Sequence, residues 1–434
     1  MDRQAMAAVE AWRTSPARKP LILRGVRQCG KTWLLKEFGH RAFTHTVYLN
    51  FEKSQTLAGL FESDLDPHRI IQDLSVLEEG VIEPQTTLVI MDEIQECPRA
   101  LTSLKYFCEE APEYAVVAAG SLLGLAVRDA SGFPVGKVDF IDLRPLTFRE
   151  FLAVSGNEVL AGYLGALGPG SRLSAPLLLK ADRLLREYVM VGGMPEAVAA
   201  WLARHDIGEV DTILQAILDS YALDMAKHAG VVTYPKLAAV WRAIPQQLAK
   251  ENQKFIFSHV IQGARAKDLE DALEWLVAAG IALKVPRVTR PGTPLAAYAD
   301  DRYFKLYLVD VGLLRRLAGV EASVFQAQGR GTDHFRGALV ENYVLTELLA
   351  ALPVPPYFWR SGNTAEVDFV VQVGSDVVPV EVKSGENTVS RSLGVYKQQY
   401  DPAVTIKLSP KPTVNGHLPL TAAWALAAYV DRAR

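Results

Sequence analysis

Apolar residues recur along the chain in three rhythms. Short solid runs, LIL at 21–23, TLVIM at 87–91 and the stretch YAVVAAGS, are bounded by polar or glycine-rich segments and predict buried strands. Leu269, Leu273, Leu276 and Val277 recur at helical spacing before Gly280, a natural helix stop, and RGALVENYVLTELLAAL reads as an amphipathic helix. YFKLYLVDVGLL predicts a strand and turn, with Asp310 as a cap. The third rhythm is alternation. In EVDFVVQVGSDVVPVEVKSG, residues 366–385, two strands rich in Val and Phe flank Gly374-Ser375, a dipeptide suited to a two-residue hairpin turn.

Besides Asp376 at the turn, that hairpin carries four charges on otherwise apolar strands. If Val373 faces Asp376, Asp368 lies across from Glu381 and Glu366 across from Lys383, all on one face. Glu366 and Lys383 can form a cross-strand ion pair. Asp368 beside Glu381 costs stability unless something neutralises the two carboxylates. A bound Mg²⁺ would do so through oxygen ligands, with Lys383 steadying a phosphate or an attacking water. The alternative is an edge hairpin whose carboxylates splay into water.

At 434 residues, with 49% hydrophobic and 22% charged content, the chain is long enough for two to four domains, each with its own core. A net charge of −3 gives no global basic excess, so any contact with nucleic acid must come from local patches. Cys29, Cys97 and Cys108 show no metal-like spacing and form no disulfide framework, as in a cytoplasmic protein. No export signal or membrane span is evident, and GALGPGSRLSAP at 165–176 is the one loop-like shift in composition.

The N-terminal third carries the most specific motif. PLILRGVRQCGKTWLLKEFG reads as strand, turn and helix, and contains G-x-x-x-x-G-K-T, a phosphate-binding loop. Gly25, Val26, Arg27, Gln28, Cys29, Gly30, Lys31, Thr32 and Trp33 are expected to surround ATP. In this reading Lys31 reaches the β/γ oxygens, Thr32 offers its hydroxyl to Mg²⁺ and the helix N-terminus adds its dipole. Cys29 is read as filler of the loop. Downstream, TTLVIMDEIQECP ends a strand in Asp92, placed to hold the Mg²⁺ shell, and Glu93, placed to polarise an attacking water. Ser121, after the next strand, is placed to sense the γ-phosphate. Arg128, Lys137 and Arg144 are candidates for a cation supplied to a neighbouring subunit in a homo-oligomer.

The order GVRQCGKT, IMDEIQ, AGS, FPVGKV, LRPLTFREF, VGGMPEAV resembles that of the bacterial and archaeal AAA+ ATPases carrying a C-terminal domain of unknown function. The resemblance implies an α/β P-loop core, RecA-like, with a strand inserted between the loop strand and the Asp-Glu strand, then a helical lid containing GGMPEA. It further implies a C-terminal domain similar to PD-(D/E)xK restriction-endonuclease folds, whose motif positions fall on Asp368, Glu381 and Lys383, with Glu341 as the preceding acidic position. Val367 stands where that motif has Pro.

The expected organisation is an ATPase core at 1–155, a helical lid at 156–245, a winged-helix-like module at 246–320 and a nuclease-like domain at 321–434. Lys284, Arg287, Arg290, Arg302 and Lys305 could face DNA from a wing, the alternative being a packing or dimer module, while Trp275 belongs to a core. Two functions fit. In one, the nucleotide state gates a nuclease-like domain that binds or cleaves nucleic acid, DNA before RNA. In the other, that domain is inactive and the protein is an ATP-dependent sensor or scaffold for a protein partner.

Overall fold

The computed structural model describes all residues except 122–123, 125–132, 251–252, 322–332, 363–364, 386–389, 412–415 and 434. The chain forms two compact units, Met1–Arg144 with Ala278–Gly280, and Pro145–Val277 with Ile281–Arg434.

The first unit alternates α1 (Gln4–Thr14), β1 (Leu21–Arg24), α2 (Lys31–Ala42), β2 (His45–Asn50), α3 (Pro67–Leu77), β3 (Thr87–Asp92), α4 (Pro98–Glu110), β4 (Ala115–Gly120) and β5 (Asp139–Asp142). Its five strands are parallel, in the order β2-β3-β4-β1-β5. Every residue of β3 and β4 is buried, because a parallel sheet covered on both faces needs solid apolar runs rather than alternation. β4 lies between β1 and β3, the inserted strand that the resemblance implied. The carboxyl ends of β1, β3 and β4 therefore come side by side, where open α/β sheets bind ligands.

The second unit begins with helices α5 (Phe148–Val154), α6 (Glu158–Gly165), α7 (Ala175–Val191), α8 (Pro195–Arg204), α9 (Ile207–His228), α10 (Gly230–Leu248) and α11 (Ala266–Ala278). Two strands follow, β6 (Ala282–Val288) and β7 (Ala299–Leu308), then α12 (Val311–Leu317) and α13 (Asp333–Ala351). The rest is β8 (Tyr357–Ser361), β9 (Ala365–Val373), β10 (Asp376–Val382), α14 (Arg391–Tyr400), β11 (Ile406–Ser409), β12 (His417–Pro419) and α15 (Leu426–Ala433).

Here the structure departs from the expected division. β6 and β7 belong to one mixed seven-stranded sheet, β12-β11-β10-β9-β8-β6-β7, joined through Arg287↔Phe358 and Val288↔Trp359. A two-stranded ribbon standing alone would leave both edges unpaired, and the edge of β8 satisfies one of them. The segment read as a wing thus supplies two strands to the C-terminal sheet. On α11, Leu269, Leu273 and Leu276 are buried as expected and Trp275 joins the core, but Val277 turns to solvent and Ala272 completes the face.

Two motifs from the family resemblance meet in this unit. Leu146 N donates to Gly193 O at 2.7 Å, and a Cβ on Gly193 would sit 2.1 Å from Leu146 O. Asp310 accepts from Gly193 N at 2.6 Å and from Leu313 N at 2.9 Å, so it caps α12 as expected and also ties down the GGMPEA turn. Thr147 and Glu150 form a capping box at the start of α5, which explains the LTFRE pattern.

Candidate nucleotide site and hairpin carboxylates

The phosphate-binding loop is built by backbone as much as by side chains. Gln28 and Gly30 take left-handed φ values of 65° and 95°, a curl that turns amide groups inward as an anion nest requires. At Gly25 a Cβ would fall 2.3 Å from the Leu143 carbonyl oxygen, so glycine is needed for close approach rather than for φ. Cys29 is buried within the loop, in keeping with its reading as filler. Trp33, by contrast, is exposed on the first turn of α2. Arg27 reaches toward Glu52 at 3.7 Å.

Lys31 Nζ donates to the carbonyls of Gly25 and Val26, each at 2.9 Å, and to Ser121 Oγ at 3.2 Å. Thr32 Oγ1 donates to Asp92 Oδ2 at 2.7 Å, and Tyr48 hydroxyl donates to the same oxygen at 2.7 Å. Burial, with the Asp92 carboxylate close by, pushes the Tyr48 phenol up to about 12, so it remains a donor. Glu93 sits at φ 50°, a strained conformation that aims its side chain across the strand ends. There Ser121 Oγ lies 3.4 Å from Glu93 Oε1, and Gln95 Nε2 donates to Glu93 Oε2 at 2.7 Å. Lys31, Thr32, Asp92, Glu93 and Ser121 are therefore brought together, with Ser121 linking the lysine to the glutamate.

Two contributors escaped the sequence. Tyr48 comes from the neighbouring strand β2, where nothing but its polarity in a strand pattern marked it. Arg3, buried ahead of α1, donates through Nη1 to Cys29 O at 3.0 Å and through Nη2 to Arg144 O, fastening the loop from outside any motif. Of the candidate cations, Lys137 pairs with Glu109 at 2.9 Å on the surface, and burial lowers the Arg144 guanidinium below its ordinary range. Arg128 lies outside the described residues.

The hairpin forms in the expected register. Asp376↔Val373 through Val380↔Phe369 are paired, and Gly374 has φ +60°. Continuing that register sets Asp368 across from Glu381. Asp368 Oδ2 accepts from Val382 N at 2.7 Å. Burial, with Glu341 and Glu381 nearby, pushes the Asp368 carboxyl well above the usual range, against the pull of Lys305 and the Val382 amide. Glu381 is 4% exposed; its Oε1 pairs with Lys383 at 2.6 Å, while its Oε2 is buried without a hydrogen-bond partner among the described residues.

The expected Glu366–Lys383 pair does not form. Lys383 turns to Glu381 on its own strand, and Glu366 pairs with Lys305 at 2.7 Å and faces Arg360 at 3.9 Å. Lys305 was expected to face DNA from a wing; it is 1% exposed, because β7 lies in the same sheet and carries it under the carboxylates. Burial alone would lower its ammonium, but Glu366, Tyr307, Glu341 and Asp368 together hold it well above its ordinary range. Glu341, on α13, accepts from Gln253 Nε2 at 2.9 Å and from Tyr307 hydroxyl at 3.1 Å, with Lys305 at 3.7 Å.

Among the described residues no group of three or more His, Cys, Asp or Glu converges as a metal site. What remains is a pair, Asp368 and Glu381, with one orphaned carboxylate oxygen. Such a pair suits Mg²⁺, which is commonly held by one or two carboxylates with water and phosphate completing its shell. At the loop, Thr32 and Asp92 offer the hydroxyl and carboxylate that a Mg²⁺–ATP complex needs. No helix among the described residues is long and apolar enough to cross a membrane.

A family model described as an AAA domain matches residues 17–152. Two others, described as Domain of unknown function (DUF8612) and Domain of unknown function (DUF4143), match 182–324 and 336–415. Lys305 falls within the second matched region and the hairpin within the third. The chain is similar to the uncharacterized proteins Mb2031c of Mycobacterium bovis and Rv2008c of Mycobacterium tuberculosis, each 25% identical over 381 residues that span 86% of this chain and 72% of the relative. Among solved structures it is similar to the Walker-type ATPase paby2304 of Pyrococcus abyssi, at 15% identity and a TM-score of 0.47, covering 73% of this chain and 95% of that one. The loop geometry, the Asp92-Glu93 strand end and the AAA match over 17–152 together support an ATP-binding ATPase of the AAA+ class.

Proposed function

We propose that this chain binds ATP with Mg²⁺, hydrolyses it, and uses its nucleotide state to gate a C-terminal nuclease-like domain that acts on nucleic acid, DNA in preference to RNA. In the first unit Lys31 leaves its carbonyl cradle for the β/γ-phosphates, Thr32 and Asp92 organise the magnesium shell, and Glu93 orients the attacking water. Ser121 touches both Lys31 and Glu93, so it reports the γ-phosphate to the water-activating group. A cation from a second copy of the chain would complete the site in a homo-oligomer. Mg²⁺, when bound, supplies charge neutralisation for the phosphates and for Asp368 with Glu381.

The observation that carries the nuclease part is the buried, unpartnered Glu381 Oε2 beside Asp368. An orphaned carboxylate oxygen in a protein interior costs free energy that a bound cation would recover. The rival reading, an ATP-dependent sensor or scaffold for a protein partner, draws on a different observation. Both oxygens of Glu341 are already engaged, and Lys383 is bonded to Glu381 rather than poised over a substrate.

Incubation of the full chain with single- and double-stranded DNA and RNA, in Mg²⁺ or Mn²⁺ and with or without ATP, separates the two. Metal-dependent cleavage lost in both Asp368→Ala and Glu381→Ala supports the nuclease reading. Intact nucleic acid under every condition would leave the scaffold reading standing.

A further inference from the structure

The hairpin face and its surroundings gather four carboxylates, Glu341, Glu366, Asp368 and Glu381, against two lysines, Lys305 and Lys383. The lysines are not equivalent. Lys383 belongs to the hairpin itself and is partly exposed, whereas Lys305 comes from β7, three strands away in sheet order from β9, and is almost wholly buried. Its Nζ lies 2.7 Å from Glu366 Oε1, 3.0 Å from Gln253 Oε1 and 3.7 Å from Glu341 Oε2. Gln253 bridges the system by donating to Glu341 Oε1 while accepting from Lys305. Tyr307, two residues along the same strand, donates to the other Glu341 oxygen.

These contacts divide the carboxylates into two pairs. Glu341 and Glu366 share the fixed Lys305 ammonium, Glu366 also faces the Arg360 guanidinium at 3.9 Å, and Gln253 and Tyr307 donate to the two oxygens of Glu341. Asp368 and Glu381 have Lys383 and one backbone amide between them, and one buried oxygen with no partner.

The geometry points to Lys305 as the resident counter-cation of this site, offsetting, together with Arg360 beside Glu366, the charges of Glu341 and Glu366 so that one exchangeable divalent ion is left to bind, on Asp368 and Glu381. In this role Lys305 is a positioning residue. It touches no reacting atom, but its charge sets how many ions the carboxylates hold and how tightly. The inference rests on the metal-binding reading of the hairpin given above. Its consequence for that reading is that the acidic position on α13 is not an ion ligand while Lys305 is in place.

Calorimetric titration of nucleotide-free full-length protein with Mn²⁺ tests this. The expected result is one ion per chain at the hairpin, absent in Asp368→Asn. Lys305→Met removes a positive charge from beside the ion, and should tighten Mn²⁺ binding by about tenfold or add a second ion on Glu341 and Glu366. Glu366→Gln removes a negative charge, and should weaken binding by a similar factor. Lys305→Arg keeps the charge and should restore the parental stoichiometry. Opposite signs for the methionine and glutamine variants are the signature of an electrostatic role, since a purely structural role loosens the carboxylates and weakens binding in both. If Lys305→Met does not fold, Lys305→Gln takes its place as the charge-removing variant, and Glu366→Gln keeps the assignment falsifiable, because unchanged or tighter binding there would overturn it. Unaltered affinity and stoichiometry in Lys305→Met would overturn it while leaving the metal site standing. Absence of any Asp368-dependent ion in the parent would overturn the metal site, and Lys305's role with it.

Discussion

Lys31 and Lys305 are both buried lysines, 5% and 1% exposed, and the difference between their partners separates a working charge from a structural one. Lys31 is held by two carbonyls and a hydroxyl, all neutral. A phosphate offers its ammonium a stronger, charge-assisted bond, so the neutral cradle releases it on demand. Lys305 is held by Glu366 and Glu341 through ionic contacts in the interior. Withdrawing it would leave the buried Glu341 with no cation among the described residues and the half-buried Glu366 with only Arg360 at 3.9 Å, so it stays. A lysine's availability is thus written in the charge of its acceptors, and burial alone does not predict it.

The largest effect expected from this contrast is on stability. Lys305→Met should destabilise the fold by about 3–5 kcal/mol, the cost of breaking a buried pair from one side. Lys31→Ala leaves behind only carbonyls and a hydroxyl near a loop open to water, and should shift stability by about 1 kcal/mol or less. Urea unfolding of the two variants beside the parent measures both. Equal losses would break the comparison.

Next comes ligand response, where the ranking reverses. Lys31→Ala should weaken ATP binding by about a hundredfold, about 2.7 kcal/mol, while Lys305→Met leaves it unchanged. Glu93→Gln sharpens the point within the same site. It keeps the loop and Asp92 intact, so it should bind ATP as the parent does and hydrolyse it slowly, a split that equilibrium binding and steady-state turnover read separately.

The same contrast explains what the sequence revealed. The loop, Asp92, Glu93 and Ser121 sit at the carboxyl ends of parallel strands, and each lies next to a solid apolar run, so local pattern located them all. The hairpin register was equally legible, because a two-residue turn and a period of two leave one solution. The counter-cation was not. Lys305 stands 61 positions before Glu366, and only the joining of β6 to β8 brings them together. Periodicity in β7 marked Lys305 as one charge on a strand and carried no information about which sheet would receive it. For the same reason the expected Glu366–Lys383 pair was a sound inference from two strands that failed when a third supplied a better partner. Arg3 and Tyr48 were hidden similarly: a single polar residue has no motif until the fold gives it an acceptor.

Glu347 extends the comparison from cations to acids, and carries the smallest effect. Unlike Glu366 it is fully buried, with no lysine or arginine among its partners in the described residues; Phe148 N donates to its Oε1 at 2.7 Å, and its Oε2 has no hydrogen-bond partner among them. Burial, with a further push from the Glu150 carboxylate, raises its pKa from 4.5 to about 8 against the pull of the Phe148 amide. A raised folded-state pKa means the native form holds the proton more tightly than the unfolded chain does. The resulting stability is fully present below about 4.5, and is lost as pH rises toward and through about 8. Between those limits the loss is about 1.4 kcal/mol for each pH unit. Glu347→Gln keeps an oxygen for Phe148 N and cannot ionise, so the difference in stability between variant and parent should grow in the variant's favour from pH 6 to pH 7 by about that amount. Urea unfolding at the two pH values measures it. A difference that does not change with pH would mean that Glu347 is ionised in the fold and has found a cation, as Glu366 has, and the distinction between paired and unpaired buried acids in this unit would fail.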